Sequence, residues 1–406
     1  MPETELHEPP LAGTVVLDLS RAVAGPQAAM MLGDMGARVI KIETMSGDDS
    51  RGWGPPFVGE NGDESTYFYS INRNKESVTL DLKDPDDSDV LARLVRYADV
   101  LVENFRAGVL DRLGFPVERL QELNPGLVVL SITGFGHDGP EGGRAGYDQI
   151  VQGEAGLMSL TGPDDDHPTK VGVPIADVLA GMNGAYGVLS ALVQRARTGR
   201  GRVVRTSLLA AVVGAHAFQG TRWTVAKDVP GTSGVHHPAI SPYGMFTTAT
   251  VPIQVACGSQ SLWSAFATAL GLDPLEARFA TNEQRVVNRS ELTNRIQEVL
   301  AAAPAEHWLE LLVDAGVPSG KVRSLDDVYA WEQTRSQGLV IQVDHATQGV
   351  MEIPGPTIRF DDNAHAGGRA THLAPPLLGQ HNATVLAWLE AQEASAQGRP
   401  ADAGGE

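Results

Sequence analysis

The sequence predicts an α/β protein: a large, doubly wound, mostly parallel sheet domain of Rossmann-like type carrying a smaller α+β domain. Three observations support this. Short apolar runs of strand length alternate with segments of helical periodicity from residue 14 to about 218, as repeated βαβ units require. Composition then shifts, with several Gly and Pro and two adjacent His between residues 228 and 245, followed by paired runs suited to a hairpin. A strand-like segment and a helix near the C-terminus return to the first pattern. The expected division is 1–221 for the first part of the large domain, 222–335 for the small one, and 336–406 for the return.

TVVLDLS (14–20) reads as a buried strand. It is followed by a helix from about Pro26 to Met35, with Gly36 as its stop, and by a second strand, RVIKIE (38–43). Further strands are expected at SVTLDL (77–82), DVLVEN (99–104) and LVVLSIT (127–133), with helices at about 86–97 and 116–123. In such a sheet, ligands bind beyond the carboxyl ends of the strands. The third of these strands runs into GFGHDG, which matches a dinucleotide fingerprint at Gly134, Gly136 and Gly139. Pro140, Gly142 and Gly143 follow and the chain is expected to stay irregular to about Ala145, so the match reads as a glycine-rich loop beside a large ligand, and NAD is not expected. Val171, Val173 and Ile175 alternate ahead of an apolar helix, placing Asp177 at an expected strand-to-helix junction. In the small domain a hairpin is expected from HHPAISPYGMF and TTATVPIQVACG, with helices near 261–270, 290–302 and 304–315. VMEIPGPTIRF (350–360) is strand-like, a helix covers about 382–392, and residues 393–406 read as disordered.

Of the 406 residues, 42% are hydrophobic and 20% charged, as in a soluble globular protein, and apolar runs read as shorter than the roughly 20 residues of a membrane helix. The acidic start, MPETELHEPPLAG, lacks the features of a secretion signal, and a single cysteine, Cys257, can form no internal disulfide, so the expected location is the cytoplasm. The net charge of −19 argues against nucleic acid or anionic membranes as partners; a polyanionic ligand must be held by local cations. Arg73, Lys75, Lys83, Arg106 and Arg112 lie around predicted strand ends and suggest phosphate recognition. No GxSxG motif or metal-ligand spacing is present, and the adjacent His236 and His237 cannot share one helix face. Asp177 is the candidate nucleophile, against the alternative that it only caps its helix.

LDLSRAVAGPQAAMMLGDMGARVIKIE, NRNKESVTLDLK, VENFRAGVLDRLGF, ITGFGHDGP, AGYDQIVQGEAGLMSLTG and PIADVLAGMNGAYGVLSAL, in this order, resemble the class III CoA-transferases. HHPAISPYGMF, RFATNEQRVVNR, LLVDAGVPSGKV and PPLLGQH extend the resemblance over nearly the whole chain. It implies a catalytic aspartate at Asp177 and a Tyr-acid pair, Tyr147 and Asp148, lining the catalytic pocket. CoA contacts are implied at Leu80, Asp81, Leu82, Lys83, Asn104, Phe105 and Arg112, to which Lys75 and Arg106 are added from the basic cluster. It also implies CoA, carried by an acyl-CoA donor, as the cofactor-like substrate, a small carboxylic acid as acceptor, no metal, and an interlocked homodimer. Val23 and Thr44 depart from residues of formyl-CoA transferase, and the loop around Val235, His236 and His237 replaces a glycine-rich segment; both point to acids other than the oxalate/formate pair. With an ordinary carboxyl pKa near 3.9, Asp177 is expected to be ionised and to need no general base. Oxyanion donors are expected from the glycine-rich loop and the N-terminus of the helix after Asp177. The alternatives are an α-methylacyl-CoA racemase-like enzyme, disfavoured by Tyr147 where racemases carry His, and a non-catalytic CoA-binding protein.

Overall fold

A computed structural model describes residues 8–361 and 366–397. The chain divides into two compact units. The first holds the residues up to Ala155, Val171–Gly220 and those from Glu332 on; the second holds Gly156–Lys170 and Thr221–Trp331. Residues 156–170, expected in the large domain, therefore belong to the second unit. Asp165 ties them there, accepting hydrogen bonds from the Thr232 backbone N–H (2.8 Å) and hydroxyl (3.0 Å).

The first unit begins with β1 (Val15–Asp18), α1 (Ala24–Asp34) and β2 (Arg38–Glu43). β3 (Phe57–Val58), β4 (Glu64–Ser65) and α2 (Thr66–Ser70) precede β5 (Lys75–Thr79), α3 (Pro85–Tyr97) and β6 (Val100–Glu103). Then come α4 (Val109–Arg112), α5 (Val117–Leu123), β7 (Val128–Thr133), α6 (Asp148–Glu154), α7 (Ile175–Thr198), β8 (Val203–Ser207) and α8 (Leu208–Ala215). Along β1, β2, β6 and β7 almost every residue is buried, as expected of strands covered on both faces. The strands form one parallel sheet in the order β5-β2-β1-β6-β7-β8, so the chain reverses its direction of winding between β1 and β6. At such a switch point the loops leaving the two strands part and open a crevice.

On one face, Leu17, Ile40, Leu101 and Val129 pack with Leu91, Leu94 and Val95 of α3. The other face is covered by α1 and α7, which approach it closely because α7 carries glycines at its contacts. A Cβ at Gly184 would stand 2.9 Å from Leu130 Cδ2, and one at Gly187 2.5 Å from Val204 Cγ1. By length and composition, α7 is apolar enough to cross a membrane, contrary to the expectation that no run approaches that length. Its buried residues, including Ala180, Gly184 and Val188, serve this packing instead.

In the second unit, within which α9 (Ala217–Ala226) ends, β9 (Tyr243–Phe246) and β10 (Ile253–Ala256) form the expected antiparallel hairpin. α10 (Gln260–Ala269), α11 (Asn282–Val287), α12 (Arg289–Leu300) and α13 (Ala305–Asp314) follow, then β11 (Ser319–Lys321) beside β10 and α14 (Leu325–Ala330). Trp263, Phe266, Phe279, Ile296 and Leu312 form its core together with Cys257, whose thiol burial pushes up to about 12. The first unit resumes with α15 (Glu332–Ser336), the antiparallel pair β12 (Val340–His345) and β13 (Gly349–Pro354), and α16 (Asn382–Gln397).

Three expectations about local structure are corrected. The strand expected at 77–82 runs from Lys75 to Thr79: Thr79 pairs with Glu43, the last residue of the neighbouring strand β2, so Leu80–Lys83 leave the sheet as a loop. Residues 171–174 form no strand, since the backbone bends at Gly172 and Val173; Gln152 Oε1 accepts from the Val171 N–H (2.9 Å). Residues 393–397 are helical, held by Arg93, which binds Glu393 through two bonds of 2.7 and 2.6 Å; the rest of the expected disordered tail lies outside the described residues.

Candidate active site

The crevice rests on a floor of buried charge. Asp18, at the end of β1, is fully buried; Lys75 Nζ lies 2.8 Å and Lys41 Nζ 3.8 Å from its Oδ2. Lys41 also meets Asp48 at 2.8 Å, and Arg51 grips Glu43 through two bonds of 2.7 Å. Burial alone would raise the Asp18 carboxyl, but the Lys75 and Lys41 ammoniums outweigh it and hold it below its ordinary value. Burial pulls Lys75 down to about 8 against the attraction of Asp18. The expectation that Lys75 binds a phosphate is therefore corrected: its three donors are spent on Asp18, Pro26 O and Asn72 Oδ1 inside the protein. Arg73 is likewise buried, paired with Asp34 at 2.6 Å.

This network shapes the turn after β1. Asp18 Oδ1 accepts from both the backbone N–H and the hydroxyl of Ser20, and Lys41 donates to Ser20 O at 2.9 Å. Ala22 is held in the left-handed region (φ 61°), its N–H donating to Asp48 Oδ1. From β6, the Asn104 side chain clamps the next backbone unit, accepting from Arg21 N–H (2.8 Å) and donating to Arg21 O (2.7 Å). Asn104, expected to touch CoA, thus uses its amide to position this turn.

Above the floor lies a cavity of about 1000 Å³. Leu80, Asp81, Leu82 and Lys83 line it after β5, and Asn104, Phe105 and Arg106 after β6. Arg112 does not line it: it is exposed on α4, whose Val109 is a wall residue. Trp53 and Tyr67, edge to face with ring centroids 5.1 Å apart, form a further part of the wall. Neither was singled out in the sequence, because Trp53 lies in an irregular segment and Tyr67 in a helix too short to show periodicity.

Asp177 lies in the first turn of α7, lines the cavity and is partly buried. It is not the helix cap. Asp148, at the start of α6, has that role: its Oδ1 accepts from the N–H groups of Ala176 (2.7 Å) and Asp177 (3.3 Å), and its Oδ2 from Gln152 Nε2 (2.6 Å). Both oxygens of Asp148 are thus engaged in holding the first turn of α7 and the Gln152 side chain. The same bonds correct the expected oxyanion donors: with Val178 N–H bound to Pro174 O, the first N–H groups of α7 are occupied. Burial, reinforced by the charge of Asp148, pushes Asp177 up to about 7, far from the ordinary value expected from sequence. Tyr67 senses the same pair: burial, then Asp177 and Asp148, raise its phenol. Tyr147 lines the cavity with its side chain largely exposed.

The GFGHDG loop stays irregular, as its Pro and Gly content predicts, and Gly134 allows a close crossing: a Cβ there would meet Gly146 N at 2.8 Å. In the second unit, His236 and His237 belong to the hairpin entry. His237 stacks on Tyr243, and its Nδ1 accepts from Ala239 N–H at 3.1 Å. Among the described residues no group of three or more His, Cys, Asp or Glu could hold a metal ion.

The profile of CoA-transferase family III matches residues 11–382. The chain is similar to succinyl-CoA:glutarate CoA-transferase of Homo sapiens, at 36% identity over 95% of this chain and 87% of that protein. It is also similar to acetyl-CoA:oxalate CoA-transferase of Acetobacter aceti, at 37% identity over 89% of this chain and 93% of that one. A CaiB/BaiF family protein from Brucella suis has a similar structure, with TM-score 0.84 and 38% identity over 94% of this chain and all of that one. The chain belongs to CoA-transferase family III and is an enzyme that transfers CoA between acyl-CoA thioesters and carboxylic acids.

Proposed function

We propose that the enzyme exchanges CoA between two acids, at least one of them a dicarboxylate, through covalent intermediates on Asp177. The single observation that carries this reading is a partly buried carboxylate in the wall of the cavity at the strand ends, pushed up to about 7 and free of the capping role. The dicarboxylate class is supported by the glutarate and oxalate named for the relatives.

The Asp177 carboxylate attacks the thioester carbonyl carbon, and collapse of the tetrahedral adduct expels CoA thiolate and leaves a mixed anhydride. The thiolate attacks the aspartyl carbonyl and expels the donor acid, giving an aspartyl-CoA thioester. The acceptor carboxylate attacks that thioester and expels thiolate, which then attacks the acceptor's acyl carbon and releases Asp177. No net proton moves, and thioester energy is kept at each step, which a serine ester would dissipate. Since the N–H groups of α7 are occupied, donors for the oxyanions come from α1, which starts without a side-chain cap at cavity-lining Ala24. Lys83 and Arg106 are the wall cations suited to CoA phosphates.

A carboxyl at about 7 attacks only when deprotonated, so kcat/KM should rise with pH up to about 7 and level off above it. A profile flat from pH 5 to 9 would return Asp177 to the ordinary carboxylate range.

The homodimer is part of the proposal. Met182, Tyr186, Leu189 and Val193 recur at helical spacing along α7 and are all exposed, with Tyr186 at 74%. A second copy covering this stripe removes it from water. Sedimentation should find a dimer, and Tyr186→Asp should shift it toward monomer; a monomeric wild type rejects this part.

A further inference from the structure

We propose that Arg21 holds the second carboxylate of the dicarboxylic acid or acyl group while the first reacts at Asp177, an assignment that rests on the dicarboxylate reading above. Arg21 lines the same cavity as Asp177. Among the described residues, no carboxylate lies within ion-pair distance of its guanidinium, whose recorded neighbour is the Phe105 ring, 5.7 Å away. Two other arginines of this region are already paired: Arg51 with Glu43, and Arg144 with Glu141 and Glu154. A half-buried cation facing a cavity without a counter-ion gains most from an anionic ligand.

The turn that carries Arg21 is rigid. Asn104 binds both its N–H and its carbonyl, Lys41 binds the carbonyl before it, and the next residue is fixed at positive φ. Backbone strain and a buried ion network beneath one turn are expected where a side chain must be pre-placed. The turn also stands next to the nucleophile. A Cβ at Gly181, one helical turn after Asp177, would lie 2.7 Å from the carbonyl oxygen of Ala24, three residues after Arg21. The start of α1 therefore touches the second turn of α7, and Arg21 and Asp177 line the cavity from adjacent elements. The planar guanidinium fork suits a carboxylate, while Lys83 and Arg106, exposed beyond the ends of β5 and β6, remain for the CoA phosphates.

The test compares a straight-chain dicarboxylate with the monocarboxylate of equal length as acceptors, using purified full-length wild type, Arg21→Gln and Arg21→Lys. Arg21→Gln should lower the ratio of kcat/KM for the diacid to that for the monoacid by about 10- to 100-fold, and Arg21→Lys should restore part of it. A ratio unchanged in Arg21→Gln overturns the assignment, whether or not both values fall. So does a rise in KM for acyl-CoA that is the same with either acceptor, which would place Arg21 on CoA. A wild type that prefers monoacids refutes the dicarboxylate reading before any variant is used, so the two failures are distinct.

Discussion

Asp177→Asn is expected to lower CoA transfer by about 10⁴-fold or more, the scale seen when a covalent nucleophile is removed, while CoA still binds. Asn keeps the shape of the side chain and leaves the Asp148 cap intact, so the loss reports on nucleophilicity rather than folding. Hydroxylamine added during turnover should trap an adduct on Asp177 alone, read by peptide mass spectrometry. The same variant should be more stable than the wild type above pH 7. A carboxyl at about 7 in the folded state and 3.8 in its ordinary state binds more protons folded than unfolded between these values, so its contribution to stability is present at low pH and lost as pH rises through 7. Asparagine cannot ionise, and its Tm at pH 8 should exceed that of wild type by about 2 °C. Retained turnover in this variant rejects the nucleophile, and an adduct on another residue rejects the mechanism.

Asp18→Asn should be the most destabilising single change in the crevice, costing about 3–5 kcal/mol, because it leaves Lys75 and Lys41 buried with a partner lost. Urea unfolding measures it. The double replacement of Asp18 by leucine and Lys75 by methionine should recover part of the loss, since apolar side chains of similar volume need no counter-charge. Since Asp18 also holds Ser20, transfer by the single variant should fall even where it remains folded. A cost under about 1 kcal/mol would mean that water enters the network and that the floor is not dry.

Much of the first unit was legible because it is built from local signals. The 38–43 strand, the helix closed by Gly36 and the Pro-started α3 each follow from periodicity and caps within a dozen residues. Asp177 and the wall segments 80–83 and 104–106 were reached through short motifs, and the structure brings them to one cavity. What the sequence by itself determined, then, was the alternation of strands and helices and the residue types at strand ends.

The tertiary structure decided which of those residues face the ligand. Lys75 and Lys83 looked alike, but β5 ends at Thr79 because its neighbour ends at Glu43, leaving Lys75 inside the protein and Lys83 in the crevice. Asp148 became a cap for a helix 28 residues away, Asn104 a clamp on Arg21, and Asp177 a carboxyl near 7 instead of 4. A pKa, a cap and a counter-ion all depend on which charges and donors stand within a few ångströms through space. Strand order and sheet edge set those distances, and neither is written in neighbouring residues.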